Sequence, residues 1–411
     1  MAAIYTLRKI SFTISYWGFF ILTVGMFVSR ALMSIGMMLI LAGALLAGDC
    51  LNYLRKIWRS KMLLSLAFVF VIVAFSFFFS ENKKEFFERL VLKLPFLIFP
   101  YAIVVLMDIK CSRWFAYLLL FFSLCVSLVC VCSLINYAKN YEQINQMYKM
   151  AHVIPLPFDI NHIRFSLMIT FSVFACAHMY IDGKYFNKFG LYSILCIGLF
   201  NLAFLHILSV RSGLLAFYCG VLVWMVTYII RSRNVKYVLI GLLLITSIPV
   251  VMYFTLPTLK NKIAYMQEDV KRYFDGKDVA YYSDGNRLLS IRLGLELGND
   301  NFLFGTGMGD IRDEMTKGYK NIRQDFPEDK ILIPHNQFVY FYAGLGIIGL
   351  LAVIWLSLAP FVFVENYNKI LFIMSAVIAI TSFMVEATIE NQLGIALYLY
   401  MYACSLLITS E

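Results

Sequence analysis

Residues 114–137 read Trp-Phe-Ala-Tyr-Leu-Leu-Leu-Phe-Phe-Ser-Leu-Cys-Val-Ser-Leu-Val-Cys-Val-Cys-Ser-Leu-Ile-Asn-Tyr, without one charged side chain. As a helix this stretch is about 36 Å long at 1.5 Å per residue, enough to cross the roughly 30 Å hydrocarbon layer of a bilayer. A helix satisfies every backbone N–H and C=O within its own segment, as lipid requires. Similar stretches recur on both sides of it, separated by short polar breaks. They predict spans at about 12–29, 32–52, 62–80, 91–108, 114–137, 163–181, 190–208, 210–230, 237–255, 336–362, 370–387 and 391–408. The 411 residues are 61% hydrophobic and only 15% charged, with a mean hydropathy of +0.77. A water-soluble core of this length could not hide so much apolar surface, so the solvent is lipid. The expected fold is an all-α polytopic membrane protein of about 12 transmembrane helices with one large, partly helical loop. Its parts are a bundle of about nine helices over 1–255, a loop over 256–335, and about three helices over 336–411.

Lys and Arg concentrate in cytoplasmic loops, which orients the bundle. With Arg8 and Lys9 inside, the inner connections hold Arg55, Lys56, Arg59 and Lys61, then Lys110 with Arg113, Lys184 with Lys188, and Arg231, Arg233 and Lys236. The opposite loops are mixed, as in Glu81-Asn-Lys-Lys-Glu85, or acidic, as from Glu386 to Glu390. The net charge of +10 is therefore a topological signal and implies no nucleic acid. Both termini are expected in the cytoplasm and 256–335 in the periplasm, with the chain in the bacterial inner membrane. The segment 12–29 is long and lacks a small-residue cleavage site, so it reads as a retained helix. The nine cysteines fall in spans or at cytoplasmic edges, without zinc spacing, and no disulfide is needed.

Two outer segments are long enough to hold function, 138–162 and 256–335. The second carries 12 Lys and Arg against 13 Asp and Glu, so it is no polybasic surface for anionic lipid. Any anion site there must come from particular arginines. Helices are expected over Thr258–Phe274 and Arg287–Gly298, with Asp284-Gly285-Asn286 as turn and cap and Arg287 in the first turn. Gly305-Thr-Gly307-Met-Gly309 is weak as a nucleotide signature, since no strand precedes it, and reads as a tight re-entry under the bundle.

The residues able to do chemistry sit at the expected outer face. Arg211 begins a span against the positive-inside bias, whereas a snorkelling residue is the plainer reading. Arg287 and Arg292 lie five apart, about 140° around a helix, so at most one meets a given site; either alone can be a solvated charge. His335 precedes the tenth span, where Pro334-His335-Asn336 can equally be a capping segment. His162 and Arg164 open the sixth span and could shape an acceptor site. Asp310, Asp313 and Glu314 could ligate a metal, but their mixture with Arg312 and Lys317 reads as a solvated helix face. Arginine forks bind phosphate oxygens bidentately at any pH, and histidine accepts a proton near neutrality. Together they suit displacement of a sugar from a lipid diphosphate without metal or other cofactor.

These residues resemble the O-antigen ligase and polymerase family of bacterial multi-spanning, lipid-linked glycan transferases. Arg211-Ser-Gly-Leu-Leu looks like the family's arginine at the start of a span. Arg287 through Leu303-Phe304-Gly305-Thr-Gly307 looks like its arginine, helix and glycine turn. Pro334-His335-Asn336 followed by Gly344-Leu-Gly346-Ile-Ile-Gly349 looks like its histidine block. The likeness covers about 200–360; Ile291 stands where the family commonly has tryptophan, and Phe302 where it has proline. The resemblance implies catalytic roles for Arg211 and Arg287 on the lipid diphosphate and for His335 near the acceptor hydroxyl. Arg292, Asn336, Arg164 and His162 are then substrate-binding candidates. The implied donor is an undecaprenyl-diphosphate-linked glycan and the implied acceptor a lipid A-core hydroxyl, in lipopolysaccharide biosynthesis; with a growing glycan as acceptor the enzyme is instead a polymerase. A transporter or flippase would favour ionisable residues at mid-span and paired broken helices, and neither pattern is visible.

Overall fold

A computed structural model describes residues 2–109, 111–149, 153–232, 247, 254, 257–363 and 370–409. Along the chain the helices are α1 Ala2–Val28, α2 Arg30–Leu45, α3 Cys50–Arg59, α4 Lys61–Phe75, α5 Lys83–Lys93, α6 Pro95–Ile109, α7 Ser112–Lys139, α8 Tyr141–Lys149, α9 His162–Asp182, α10 Lys188–Leu208 and α11 Arg211–Ser232. They continue with α12 Pro257–Phe274, α13 Ser283–Asp300, α14 Ile311–Ile322, α15 Gln337–Val362, α16 Ile370–Val385 and α17 Gln392–Leu407. No strand occurs among the described residues, so the all-α membrane class holds.

Eight helices among the described residues are long and apolar enough to cross a membrane, or nine if α2 and α3 form one broken span. The expected span 32–52 is not one straight rod. Gly48 and Asp49 take left-handed backbone (φ 73° and 54°), and α3 leaves α2 at 109°. Leu51, Leu54 and Trp58 lie exposed on α3 beside Arg55, Lys56 and Arg59, the composition of an interfacial helix. The expected spans at 370–387 and 391–408 are helices of 16 residues each, about 24 Å long, linked by a buried turn. The expected ninth span, 237–255, lies outside the described residues apart from Ser247 and Phe254.

The chain divides into two compact units. The first comprises Met1–Phe115, Arg272–Phe372 and Ser382–Glu411, the second Ala116–Lys271 and Ile373–Thr381. In the first, α1 and α2 form an antiparallel hairpin whose glycines bring backbones into contact: a Cβ on Gly25 would stand 2.6 Å from Met33 N, and one on Gly36 2.6 Å from Leu22 N. Lipid supplies no hydrophobic drive between helices, so this close approach is the source of packing energy. Thr23 ties the hairpin to α17 by a 3.0 Å bond to the Tyr400 hydroxyl.

The glycine run of the loop also serves packing. Gly305 and Gly307 have positive φ (69° and 95°), and Gly346 breaks α15 at φ 62°. The two breaks interlock: Thr306 N donates to Ala343 O at 3.0 Å, Gly307 N to Gly344 O at 2.9 Å, and Ile347 N to Phe302 O at 2.8 Å. A Cβ on Gly305 would lie 2.3 Å from Gly344 C, so only glycine fits. The glycines thus form a tight turn packed against a kink in the following helix.

In the second unit, Asn201 on α10 is wholly buried, donating to Ser172 Oγ at 2.9 Å and accepting from Ser127 Oγ at 2.8 Å. Polar contacts of this kind fix helix register inside a bundle.

Candidate functional site

Asn336 is the cap of α15: its Oδ1 accepts from Phe338 N at 2.9 Å and Val339 N at 3.1 Å, while its Nδ2 donates to Met384 O at 3.0 Å. The plainer reading of Asn336 therefore describes its geometry, with both polar atoms engaged by backbone. His335, just outside the helix, donates its backbone N–H to Ser290 Oγ on α13 at 3.1 Å. Its Nδ1 lies 3.2 Å from Ile333 O. A carbonyl only accepts, so this contact places the proton on Nδ1, and in the neutral ring Nε2 is then the acceptor nitrogen.

His335 lines a cavity of about 260 Å³ within the first unit, together with Arg89 of α5, Arg312 of α14, Met315 and the strip Ile331–Ile333. Arg89 is held in place: Nε and Nη2 donate to Glu85 Oε1 at 2.9 and 2.5 Å, and Nη1 to Glu390 O at 3.4 Å. Arg312 is exposed, and its guanidinium has no hydrogen-bond or ion-pair partner among the described residues. Instead of joining a uniformly solvated face, it contributes to the cavity wall.

Glu390 departs from expectation. The acidic run Glu386 to Glu390, taken as an outer loop, folds into the turn between α16 and α17, where Glu390 is buried. Its Oε1 accepts from Lys93 Nζ at 2.7 Å and from Gln337 Nε2 at 2.9 Å. Gln337 Oε1 in turn accepts from Ile389 N at 2.9 Å. The partner explains the burial: an unpaired carboxylate could not remain there. These bonds tie the start of α15, and so the His335 segment, to α5 and Arg89.

α13 begins at Ser283, four residues before the expected start, so Arg287 lies in the second turn and Asn286 is no cap. Asn286 is buried instead, donating to Lys330 O at 2.8 Å and accepting from the Tyr319 hydroxyl at 2.9 Å. Burial pushes the Tyr319 phenol far above its usual range, which keeps it a donor. Arg287 faces Asp284 at 3.8 Å. One turn on, Ser290 Oγ donates to Arg287 O at 2.7 Å while accepting from His335 N, so one serine joins the arginine's helix to the histidine. Arg292 points elsewhere, in an exposed pair with Glu296 at 2.8 Å of the kind that contributes little.

In the second unit, Arg211 opens α11 and His162 opens α9. The two starts lie side by side: a Cβ on Gly213 would meet Ser166 Cβ at 2.4 Å, and Thr170 Oγ1 donates to Gly213 O at 3.0 Å. Asn161 caps α9 by accepting from Ile163 N and Arg164 N. Arg211, His162 and Arg164 are thus gathered at one end of that unit.

The acidic group at Asp310 is occupied by donors. Asp310 accepts from Glu81 N and Asn82 N at 2.7 Å each, Asp313 from Asn82 Nδ2 at 2.9 Å, and Glu314 pairs with Lys317 at 2.6 Å. Asp310 therefore pins the turn before α5 to the glycine run.

Residues 195–354 match the O-antigen ligase family. The resemblance read over about 200–360 is borne out, and the match supports a membrane glycosyltransferase of the O-antigen ligase or polymerase kind. No curated protein matches the chain. The matched segment contains Arg211, Arg287, Arg292, Arg312, His335 and Asn336, and leaves out Arg89, Lys93 and Glu390. Sequence reasoning passed over these last three because none carries a local signal: Arg89 stands four residues after Glu85 like any solvated helix pair.

Proposed function

We propose that this chain transfers a glycan from undecaprenyl diphosphate to a lipid A-core hydroxyl at the periplasmic face of the inner membrane. In this reading 256–335 faces the periplasm and both termini the cytoplasm. The acceptor oxygen attacks the anomeric carbon, the anomeric carbon–phosphate oxygen bond breaks, and undecaprenyl diphosphate leaves with the electron pair. His335 Nε2 takes the hydroxyl proton. Arg287 and Arg211 carry the charge that develops on the leaving diphosphate, a task fixed positive charge performs without proton transfer. The observation that carries the reading is His335 itself, with Nδ1 tied to Ile333 O and its ring on the wall of a cavity shared with two arginines.

Deleting the gene tests the reading in the cell. Loss of all polymeric glycan on lipid A-core, with the lipid-linked glycan still made, is the expected result. Core bearing a single repeat unit would identify a polymerase instead, and unaltered lipopolysaccharide would end the proposal.

The arginines are separable by lysine substitution, which keeps charge but loses the planar fork. Arg287→Lys and Arg211→Lys are each expected to lower transfer by about 10-fold or more, given that hydrogen bonds to charged groups contribute about 1.5–3 kcal/mol. Arg292→Lys should stay within about 2-fold, because its partner Glu296 is an exposed helix neighbour. Initial transfer rates on protein of equal insertion decide the matter, and an Arg292→Lys loss equal to that of Arg287→Lys would reverse the assignment.

A further inference from the structure

We infer that Arg89 and Arg312 form a phosphoryl-binding site in the cavity beside His335, distinct from Arg211 and Arg287. The inference deepens the proposed transfer reaction and rests on it for the identity of the phosphorylated molecules. Arg89 comes from α5, Arg312 from α14 and His335 from the start of α15, and the three line one space otherwise walled by Met315 and Ile331–Ile333.

Each arginine has donors to offer. A guanidinium carries five N–H groups. Arg89 uses three, two on Glu85 Oε1 and one on Glu390 O, and keeps two. The bonds it makes hold its side chain, only 17% exposed, in a fixed orientation. Arg312 uses none. Electrostatics divides the roles: Glu85 offsets the charge of Arg89, and Lys93 and Glu390 offset each other, so Arg312 supplies the net positive charge of the cavity. Arg89 is a pre-set fork and Arg312 the charge that completes it. An oxyanion with several acceptor atoms, such as a phosphoryl group, matches two forks from different helices; a neutral sugar hydroxyl does not require them. Apolar walls limit solvent screening and raise the value of each contact.

A phosphoryl group at this place can come from the donor's diphosphate or from a phosphorylated acceptor. Both sources are tested by direct binding to the full-length protein in nanodiscs, with no turnover required. One arm compares undecaprenyl diphosphate with undecaprenol; the other compares lipid A-core with the same material after phosphatase treatment. Arg312→Gln is expected to weaken one phosphorylated probe by about 10–100-fold, leaving its phosphate-free counterpart unchanged. Arg89→Gln should weaken the same probe. A loss confined to undecaprenyl diphosphate assigns the site to the donor, and a loss confined to phosphorylated lipid A-core assigns it to the acceptor. Because Arg312 is exposed and unpartnered, its variant keeps the fold, which an unchanged melting temperature verifies. Wild-type affinity of Arg312→Gln for both phosphorylated probes overturns the inference. His335→Ala is expected to bind both probes as wild type does, so a failure of the transfer reading appears in turnover and a failure of this site in binding.

Discussion

Replacing His335 by alanine is expected to lower turnover by about 10²–10⁴-fold, the range over which a positioned general base contributes. The geometry makes this a clean substitution. The backbone N–H of His335 holds Ser290, and the cap of α15 belongs to Asn336, so neither contact needs the imidazole. The Nδ1 contact to Ile333 O and the residue's part of the cavity wall are lost. Folding should therefore survive, and binding of undecaprenyl diphosphate should remain within about 2-fold, because a neutral imidazole contributes no fixed charge to a phosphate. His335→Gln offers a stricter comparison, since its amide keeps polar volume but takes no proton at neutral pH. Single-turnover rates and donor affinity, measured separately, distinguish the roles. Transfer by His335→Ala at the wild-type rate would reduce the residue to a helix-start side chain and remove the base from the proposed mechanism.

The membrane class was legible because lipid forces a blunt signal: each crossing must be an apolar helix, so hydropathy alone gave the all-α membrane class. What hydropathy could not give was where a crossing bends. The break between α2 and α3 depends on two left-handed residues, Gly48 and Asp49, inside a stretch that is apolar on both sides. The site was half legible. His335 and Arg287 stand in recognisable blocks, and Ser290 joins them in space. Arg89 and Arg312 could not be found in the same way, because the cavity is made from positions near 89, 312 and 335, and a charged residue on a helix looks the same in sequence whether it faces water or a cavity. Glu390 misled for a related reason. An acidic turn between two apolar helices has the composition of an outer loop, and only the distant Lys93 reveals that it is buried.

That pair carries the second large effect. Lys93 and Glu390 have side chains 0% and 2% exposed, so each charge depends on the other. Lys93→Met removes the ammonium and leaves the buried Glu390 carboxylate, still bonded to the Gln337 amide, without its ion-pair partner. Breaking a buried pair on one side costs about 3–5 kcal/mol. Glu390→Leu should be as harmful from the other side, stranding the ammonium against the Ile389 carbonyl. Replacing both partners tells the two contributions apart. A buried pair exchanged for apolar groups of similar volume is often neutral or stabilising by about 1–4 kcal/mol, since neither charge then needs desolvation. Lys93→Met/Glu390→Leu is thus expected to recover much of the stability that each single change loses, as measured by denaturant unfolding in detergent. Activity should not follow stability. Without Glu390, Gln337 loses its acceptor and the turn that positions the Glu390 carbonyl against Arg89 is held less firmly, so the double variant should remain impaired in transfer after its unfolding midpoint recovers. Stability and transfer returning together would make the pair a packing element alone; single variants as stable as wild type would mean that the buried pair is not formed.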